Sequence, residues 1–157
     1  MDYHERIIDK VVNGFLVVKQ HMGRPTEFEL RAVLGLGNFY FLYMVYTNEK
    51  LTMSEIASFM YISKQQATQV ADKMIASGYI ERVYDEKDRR IIQIMITEKG
   101  KRALWDGIER VREKMKDKMA CLSMEDFEKV EGAIDTLIEI ARKMDLQSLH
   151  TDAVLRK

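Results

Sequence analysis

The sequence predicts a mainly α-helical chain that contains one small β-hairpin. Two observations near the middle of the 157 residues support this prediction: two helix N-cap signatures eleven residues apart, and two β-rich segments separated by six consecutive charged residues. A third observation is the length of the apolar stripes at helical spacing on either side. A composition of 46% hydrophobic and 32% charged residues is ordinary for a globular helical protein and does not indicate disorder.

The first helix is predicted over residues 4–21. Its apolar stripe is too wide to lie against one neighbour, so the helix is expected to pack on two surfaces; the stripe consists of Ile7, Ile8, Val11, Val12, Phe15, Leu16 and Val18. The GRPT segment that begins at Gly23 then predicts a break in the helix. Thr26 is the expected N-cap of the next element, with Glu29 at the third position after it.

Two N-cap signatures predict the next pair of helices. Thr52 is followed at the third position by Glu55, and Ser63 by Gln66, so each pair can satisfy two helix N–H groups reciprocally. The first of these helices is short and turns Ile56, Ala57 and either Phe59 or Met60 inward. The second has one apolar face, made by Ala67, Val70, Ala71 and Met74. Its other face carries polar side chains long enough to reach a DNA major groove, namely Lys64, Gln65, Thr68, Gln69, Asp72 and Lys73.

A hairpin is predicted after Gly78, a residue that tolerates the left-handed conformation of a helix end. Residues 79–84 and 91–96 are rich in β-branched and aromatic residues, and the charged run DEKDRR lies between them. Such a run, taken alone, is most often a solvated loop. Beside a capped helix with a polar face, it indicates a wing whose arginines reach an adjacent minor groove. Residues 51–102 therefore predict a DNA-binding winged helix.

Two long helices are predicted beyond the hairpin, the first capped by Thr97 and the second by Ser123 with Asp126. The apolar stripe of the first consists of Leu104, Ile108, Val111, Met115 and Met119. The second is marked by Phe127, Val130, Ile134, Leu137, Ile138 and Ala141, and the tail after Met144 has no clear period. One small winged helix cannot cover so much apolar surface, so these helices and the first one predict a dimer interface.

In order and spacing, the central motifs resemble those of the MarR family of winged helix-turn-helix transcriptional regulators. The resemblance is carried by Leu51-Thr52, Glu55-Ile56-Ala57, Ser63-Lys64, the run from Gly78 to Arg82, the run from Asp85 to Arg90 and the run from Ile96 to Gly100. It implies a homodimer that binds a pseudo-palindromic operator in double-stranded DNA, with the helix from Ser63 in the major groove. It also implies that Asp88 orients Arg90, the wing residue that enters the minor groove.

The resemblance, together with the polar helix face, gives a set of predicted DNA-binding residues: Ser63, Lys64, Gln65, Gln66, Thr68, Gln69, Lys73, Arg89 and Arg90, with Asp88 orienting the wing. Two positions depart from the family pattern. Tyr61 stands in the turn where the family often has glycine, and Gln69 stands where an arginine is common. Because glutamine reads adenine through a bidentate contact, an A·T-rich operator is expected.

The distribution of charge agrees with a DNA-binding central segment, although the formal net charge of the chain is zero. Residues 61–102 contain nine Lys or Arg and six Asp or Glu, a net of +3, so the remainder carries −3. The excess is modest, and binding to DNA is therefore expected to weaken at high salt.

A further helix is placed at about residues 38–46, and it contains the aromatic run NFYFLYMVY. Aromatic residues at helical spacing are usually core, but regulators of this family often bind phenolic or lipophilic effectors between their DNA-binding and dimerisation parts. Both interpretations stay open for Tyr40, Tyr43 and Tyr46, and for Trp105 on the long helix. The 11 methionines suit an adaptable pocket or an irregular core equally well.

No catalytic residue, cofactor or metal site is predicted. The sequence has no Gly-rich phosphate loop and no Ser-His-Asp or Cys-His arrangement, and His4, His21, His150 and Cys121 are not at ligand spacing. Cys121 is expected to be a buried structural thiol rather than a redox sensor. The sequence has no apolar run of about 18 residues and no signal-peptide core, so a cytoplasmic protein without a membrane partner is expected.

The predicted organisation is a single elaborated domain over residues 1–157. Its winged-helix DNA-binding part covers 38–102, and its helical dimerisation part covers 1–37 and 103–157. The expected function is that of a sequence-specific transcriptional regulator, a dimeric repressor released by a small aromatic or lipophilic effector. The alternative is a winged helix used for protein contacts, in which case the wing arginines could be replaced without loss.

Overall fold

The computed structural model describes residues 2–85 and 88–155, with side chains as far as residue 144. Its helices are α1 Tyr3–Val18, α2 Arg24–Val33, α3 Leu36–Asn48, α4 Met53–Phe59, α5 Lys64–Ala76, α6 Glu98–Met119 and α7 Met124–Leu155. Its strands are β1 Lys50–Thr52, β2 Ile80–Tyr84 and β3 Ile92–Ile96. The chain forms two compact units, Met1–Asp117 and Lys118–Lys157. The predicted class, mainly α with a small β-hairpin wing, is confirmed.

The break predicted at the GRPT segment was wrong. A single π-helical turn, Lys19–Gly23, joins α1 to α2, and Gly23 keeps a right-handed helical conformation with φ −70° and ψ −51°. Pro25 lies in the first turn of α2, where a residue without an N–H is tolerated. Thr26 is not an N-cap, because its hydroxyl donates to the carbonyls of Met22 and Gly23, at 3.1 and 2.7 Å, from within the helix.

The region between the first helix and residue 38 contains α2, which the sequence pattern did not show. Only Leu30 of α2 is buried, so the helix has little apolar periodicity to detect. Gly35, with φ +79°, then separates α2 from α3. α3 extends the predicted helix by two residues at each end and buries Phe39, Phe41, Leu42 and Val45.

The three strands form one antiparallel sheet in the order β1-β3-β2. The predicted hairpin is confirmed, with Ile80 opposite Ile96 and Tyr84 opposite Ile92. The strand β1 was not predicted, because three residues are too few to show a period of two. Leu51 of β1 pairs with Ile94 of β3, which fixes the start of α4 against the sheet.

The core of the first unit lies between α3, α4, α5, the sheet and the beginning of α6. Ile56, Phe41, Ile94 and Leu104 are fully buried in it. On α4, Met60 is half-buried and Phe59 is 52% exposed, so Met60 is the inward residue of that pair. The apolar face of α5 is buried as predicted through Ala67, Ala71 and Met74, with Val70 half-buried at its edge.

α1 and α7 differ from the core helices, since their apolar stripes are exposed. α1 buries none of its residues; Phe15 is 66% exposed and Val11 64%. On α7, Leu137 is 63% exposed and Ile134 48%. The segment after Met144, which shows no clear period in sequence, continues as helix to Leu155. Within residues 2–85 and 88–155, no helix has the length and apolar character that a bilayer crossing needs.

Candidate nucleic-acid interface

α5 begins at a complete capping box. The Ser63 hydroxyl oxygen accepts a hydrogen bond from the Gln66 backbone N–H at 3.2 Å, and Gln66 Oε1 accepts from the Ser63 backbone N–H at 3.0 Å. The Ser63 hydroxyl also donates to this Oε1 at 3.0 Å. Both residues were predicted to contact DNA, and both use their oxygen atoms at the helix end. The side-chain NH₂ group of Gln66 is exposed and is not used in the capping box, so it can make other contacts.

One face of α5 presents exposed polar side chains: Lys64, Gln65, Gln69, Asp72 and Lys73. Residues four apart are neighbours on a helix, so Gln65, Gln69 and Lys73 form one row. Thr68, in the adjacent row, is half-buried, and its hydroxyl donates to the Lys64 carbonyl at 2.8 Å. Because that bond uses the hydroxyl proton, Thr68 can offer DNA an oxygen acceptor or its methyl group but no donor.

The turn that precedes α5 is fixed by backbone hydrogen bonds. The N–H of Tyr61 donates to the Ser58 carbonyl at 3.2 Å, and the N–H of Ile62 donates to the Ala57 carbonyl at 3.1 Å. Tyr61 has φ +53°, in the left-handed region. The turn therefore keeps the geometry that suits glycine although a tyrosine occupies it, and the tyrosine side chain is 97% exposed.

The C-terminal end of α5 is bonded to the first turn of α6. Thr97 Oγ1 donates to the Gly78 carbonyl at 2.7 Å and accepts from the Gly100 N–H at 3.0 Å. A Cβ at Gly100 would lie 2.0 Å from the Tyr79 carbonyl oxygen, so the two chain segments meet at a distance that only glycine allows. The sequence identified Thr97 as a helix cap, and the structure adds that the same hydroxyl holds the end of α5.

Lys99 strengthens this junction from α6. Its Nζ donates to the Ser77 carbonyl, one of the last carbonyls of α5, at 2.7 Å, and lies 5.1 Å from the centre of the Tyr79 ring. A cation is favourable at a helix C-terminus because it interacts with the negative end of the helix dipole. α5 is therefore restrained at both ends, by a capping box at its start and by α6 at its finish.

An ion pair connects α5 to the hairpin. Arg82 Nη2, on β2, donates to Asp72 Oδ1 at 2.6 Å, and the two side chains are 51% and 57% exposed. Sequence reasoning placed Asp72 on the polar face of α5 but missed its partner, because the two residues lie on different elements and share no local pattern. The pair balances the charge of an acidic side chain that would otherwise repel phosphates.

The wing holds Arg90 at its tip. Arg90 Nε and Nη2 donate to the two carboxylate oxygens of Asp88 at 3.1 and 3.4 Å, and the Arg90 backbone N–H donates to Asp88 Oδ1 at 3.0 Å. The Asp88 N–H in turn donates to Asp85 Oδ1 at 3.1 Å. The side chain of Arg90 is 91% exposed and that of Asp88 41% exposed. Arg89 is exposed beside it, and residues 86 and 87 of the predicted tip lie outside the described residues.

The four aromatic residues predicted for an effector pocket have different surroundings. Tyr40 lines a groove of about 600 Å³ together with Phe15, Met22, Val111 and Met115 among others. Trp105 contacts Tyr46 instead, with ring centres 5.7 Å apart. The side chain of Tyr43 is 49% exposed. Among the aromatic residues of the run NFYFLYMVY, Phe39 and Phe41 are buried in the core.

Tyr46 lines a second groove, of about 760 Å³, between α3, the sheet and the start of α6. Glu98 and Lys101 face each other on its wall, with Lys101 Nζ 2.7 Å from Glu98 Oε1. This hydrogen bond and the charge of Lys101 lower the pKa of Glu98 below its usual value, and Glu98 raises the pKa of Lys101 in the same way. Both groups are therefore charged at neutral pH, so this groove is more polar than the one beside Tyr40.

The expectation that Cys121 is a buried thiol was wrong. Cys121 is exposed, and its sulfur lies 3.6 Å from the Lys118 carbonyl oxygen in the turn between α6 and α7. A turn between two helices presents its side chains to solvent unless another element covers it, and the sequence around Cys121 does not show whether one does. Within the described residues, no three His, Cys, Asp or Glu side chains are grouped so that they could hold a metal ion. His150 lies outside the described side chains.

Comparison with known sequences places this chain beside transcriptional regulators. A family model described as MarR family matches residues 34–91. The chain is 29% identical over 124 residues to the uncharacterized HTH-type transcriptional regulator YsmB of Bacillus subtilis, a match that covers 79% of this chain and 84% of YsmB. It spans between 47% and 61% of the length of three further HTH-type regulators.

Solved structures show the same fold. A MarR family protein from Bacillus stearothermophilus superposes with a TM-score of 0.76 at 21% identity, over 90% of this chain and 99% of that one. A mutant MarR from Escherichia coli, in complex with operator DNA, superposes with a TM-score of 0.57 at 16% identity, over 87% and 99% of the two chains. The shared architecture is thus that of a winged helix-turn-helix protein.

Proposed function

We propose that this chain, whose residues 34–91 match the MarR family model, is a transcriptional regulator of that kind: a cytoplasmic homodimer that binds a specific DNA operator and represses transcription from it. The observation that carries the proposal is the exposed polar face of α5. It lies on a helix restrained at both ends, and the wing adds an exposed guanidinium held by a neighbouring carboxylate. Residues 38–102 form the DNA-binding part, and residues 1–37 and 103–157 form the dimerisation part.

α5 enters the major groove in this proposal. Gln65 and Gln69 are exposed carboxamides in one row, and a carboxamide can bind adenine through two hydrogen bonds. Lys64 and Lys73 lie on the same surface and neutralise phosphates, a contact that carries affinity but no sequence information. Ser63 and Gln66 act indirectly, because their capping box fixes the angle at which α5 starts.

The wing enters the minor groove. An exposed guanidinium at the end of a hairpin is attracted by the negative potential of a narrow minor groove, which is typical of A·T-rich DNA. Asp88 restrains Arg90 before binding, so less side-chain entropy is lost when the complex forms. Arg89 contributes a second, less restrained charge.

The dimer is held by the apolar faces of α1, of the second half of α6 and of α7. A soluble chain rarely exposes stripes as long as those that contain Phe15 and Leu137, and a second copy would remove them from water. Two-fold symmetry then requires a pseudo-palindromic operator, with half-sites about one helical turn apart. Sedimentation should give twice 18.4 kDa. A chain that ends at Arg102 should be monomeric or insoluble, and a soluble dimer of that shortened chain would contradict the assignment.

Release from DNA is assigned to a small aromatic or lipophilic effector. The groove beside Tyr40 has mainly apolar side chains, including Phe15, Met22 and Val111, and a volume that suits such a molecule. An effector changes DNA affinity only if it binds the DNA-competent and DNA-incompetent states with different affinity. Candidates should therefore be tested for their effect on DNA binding as well as for binding itself.

The decisive experiment is the selection of bound DNA from a random pool, repeated with candidate effectors. An enriched, pseudo-palindromic, A·T-rich sequence is expected. Gln65→Ala and Gln69→Ala should each cost roughly 1–3 kcal/mol at particular base pairs and relax the preference there, whereas Lys64→Ala should weaken binding to all sequences equally. If no sequence is enriched, and if Arg90→Ala leaves cellular function intact, the winged helix serves protein contacts instead.

A further inference from the structure

Tyr61 is in a conformation that a tyrosine rarely adopts. Its φ of +53° lies in the left-handed region, where the side chain of an L-residue is crowded and where glycine or asparagine is favoured. Its side chain is 97% exposed, so it contributes almost no burial in return. Among the residues that the structure describes, none is hydrogen-bonded to its hydroxyl. Tyrosine at this position thus lowers the stability of the isolated chain.

The left-handed conformation is imposed by the turn. Hydrogen bonds from the Tyr61 and Ile62 N–H groups hold the backbone, and the half-buried side chains of Met60 and Ile62 anchor it on both sides. The tyrosine is therefore fixed in a protruding position, two residues before the Ser63 cap. A strained, fully exposed residue just before a candidate recognition helix points to a contact outside the chain.

We propose that the Tyr61 hydroxyl donates a hydrogen bond to a DNA phosphate oxygen on the strand that borders the major groove entered by α5. Tyrosine hydroxyls are common donors to phosphates. The position fits such a contact, because the first helix of a helix-turn-helix crosses the sugar-phosphate backbone, and Tyr61 lies in the turn that follows α4, the first of the two helices. The inference rests on the proposed function, since it requires α5 to approach DNA.

This contact differs from that of a lysine in its dependence on salt. A neutral hydroxyl releases no counter-ion when it binds a phosphate, so its loss lowers affinity by the same factor at every salt concentration. It also differs from a base contact, because a phosphate is present in every sequence. The contribution of Tyr61 should therefore be independent of both salt and sequence.

The first test is Tyr61→Phe, which removes the hydroxyl and keeps both the ring and the strained backbone. Fluorescence anisotropy with the selected operator and with a mixed-sequence duplex should show affinity about 3- to 10-fold lower for both. The salt slope and the Tm should match those of the unaltered chain.

The second test is Tyr61→Gly, with Tyr61→Asn beside it. Both residues accept a positive φ, so the Tm of the free protein should rise by about 2–4 °C. Affinity should nevertheless fall at least as far as it does in Tyr61→Phe. A residue with only a structural role could not give a more stable protein that binds DNA less well.

Each other outcome overturns a defined part of the inference. If the unaltered chain binds DNA and Lys64→Ala weakens it, but Tyr61→Phe binds normally, the proposed function stands and the phosphate contact does not. If Tyr61→Gly loses affinity and Tyr61→Phe keeps it, the ring rather than the hydroxyl makes the contact. If neither Tyr61→Gly nor Tyr61→Asn raises the Tm, the premise of uncompensated strain is wrong. If the unaltered chain binds neither duplex, the proposed function fails first.

Discussion

The winged-helix region and the helices α1 and α7 have the same kind of amphipathic sequence, yet their apolar faces have different surroundings. In the winged helix, Phe41 and Ile56 are fully buried by other elements of the same chain. On α1 and α7, Phe15 and Leu137 remain about two-thirds exposed, at 66% and 63%. A periodic apolar face therefore predicts an amphipathic helix, but it does not show whether other elements of the same chain cover that face.

The largest expected effect separates two phenylalanines. Phe41→Ala removes a fully buried ring and should lower the unfolding free energy by about 3–5 kcal/mol at any protein concentration. Phe15→Ala should mainly weaken the dimer, so its effect on the Tm should depend on protein concentration. Thermal unfolding over a hundredfold range of concentration measures both. A concentration-independent loss from Phe15→Ala would mean that α1 is covered within its own chain.

Two glycines give the next comparison. Gly100→Ala should destabilise the protein by about 1–3 kcal/mol, because its Cβ would meet the Tyr79 carbonyl and the junction between α5 and α6 would have to open. Gly132, on α7, has no atom within 4 Å of an added Cβ, and alanine there should stabilise the helix by up to about 1 kcal/mol. Denaturant titration of the two variants should give shifts of opposite sign, and equal shifts would contradict the close approach at Gly100.

The wing distinguishes a charge that is partnered within the chain from one that acts alone. Arg90→Ala should reduce operator affinity about tenfold and lower the salt slope by about one unit, and Arg89→Ala should do less. Asp88→Ala is the sharper variant, because removal of an acid beside DNA should tighten binding if only net charge matters. If Asp88 holds Arg90 in place, binding should weaken instead. Anisotropy titrations at several salt concentrations decide between the two.

The smallest effect is expected from the exposed ion pair between Asp72 and Arg82. A double-mutant cycle with alanine at both positions should give a coupling energy of about 0.2–1 kcal/mol for stability, because both side chains are about half-exposed. The coupling should fall at high salt. A larger coupling for DNA binding than for stability would show that the ion pair positions α5 relative to the hairpin. If neither measurement shows coupling, the ion pair contributes nothing to stability or to DNA binding.

Local signals predicted the winged-helix region closely. The caps at Thr52, Ser63, Thr97 and Ser123 all form, because each depends on residues within three positions of one another. The hairpin and the polar face of α5 follow from equally short patterns. Most of the residues proposed to contact DNA could therefore be named from sequence.

The predictions that failed depended on surroundings that no local pattern encodes. The segment around Pro25 continues as helix because the π-helical turn Lys19–Gly23 connects α1 directly to α2. Cys121 is exposed because no described element covers the turn in which it lies. β1 is too short to have a period of its own and exists only because β3 offers it a partner. The ion pair between Asp72 and Arg82 was missed because its two residues lie on different elements and share no local sequence pattern.

The sequence by itself determined where the helices α4 to α7 begin, which faces are apolar and that a charged hairpin follows a polar-faced helix. Hydrogen bonding at caps and side-chain periodicity act over only a few residues. Only the tertiary structure decided which apolar faces one chain covers, how α6 holds the end of α5 through Thr97 and Lys99, and that Tyr61 is strained and exposed. These features depend on distances between segments far apart in the chain, and such distances are set by packing.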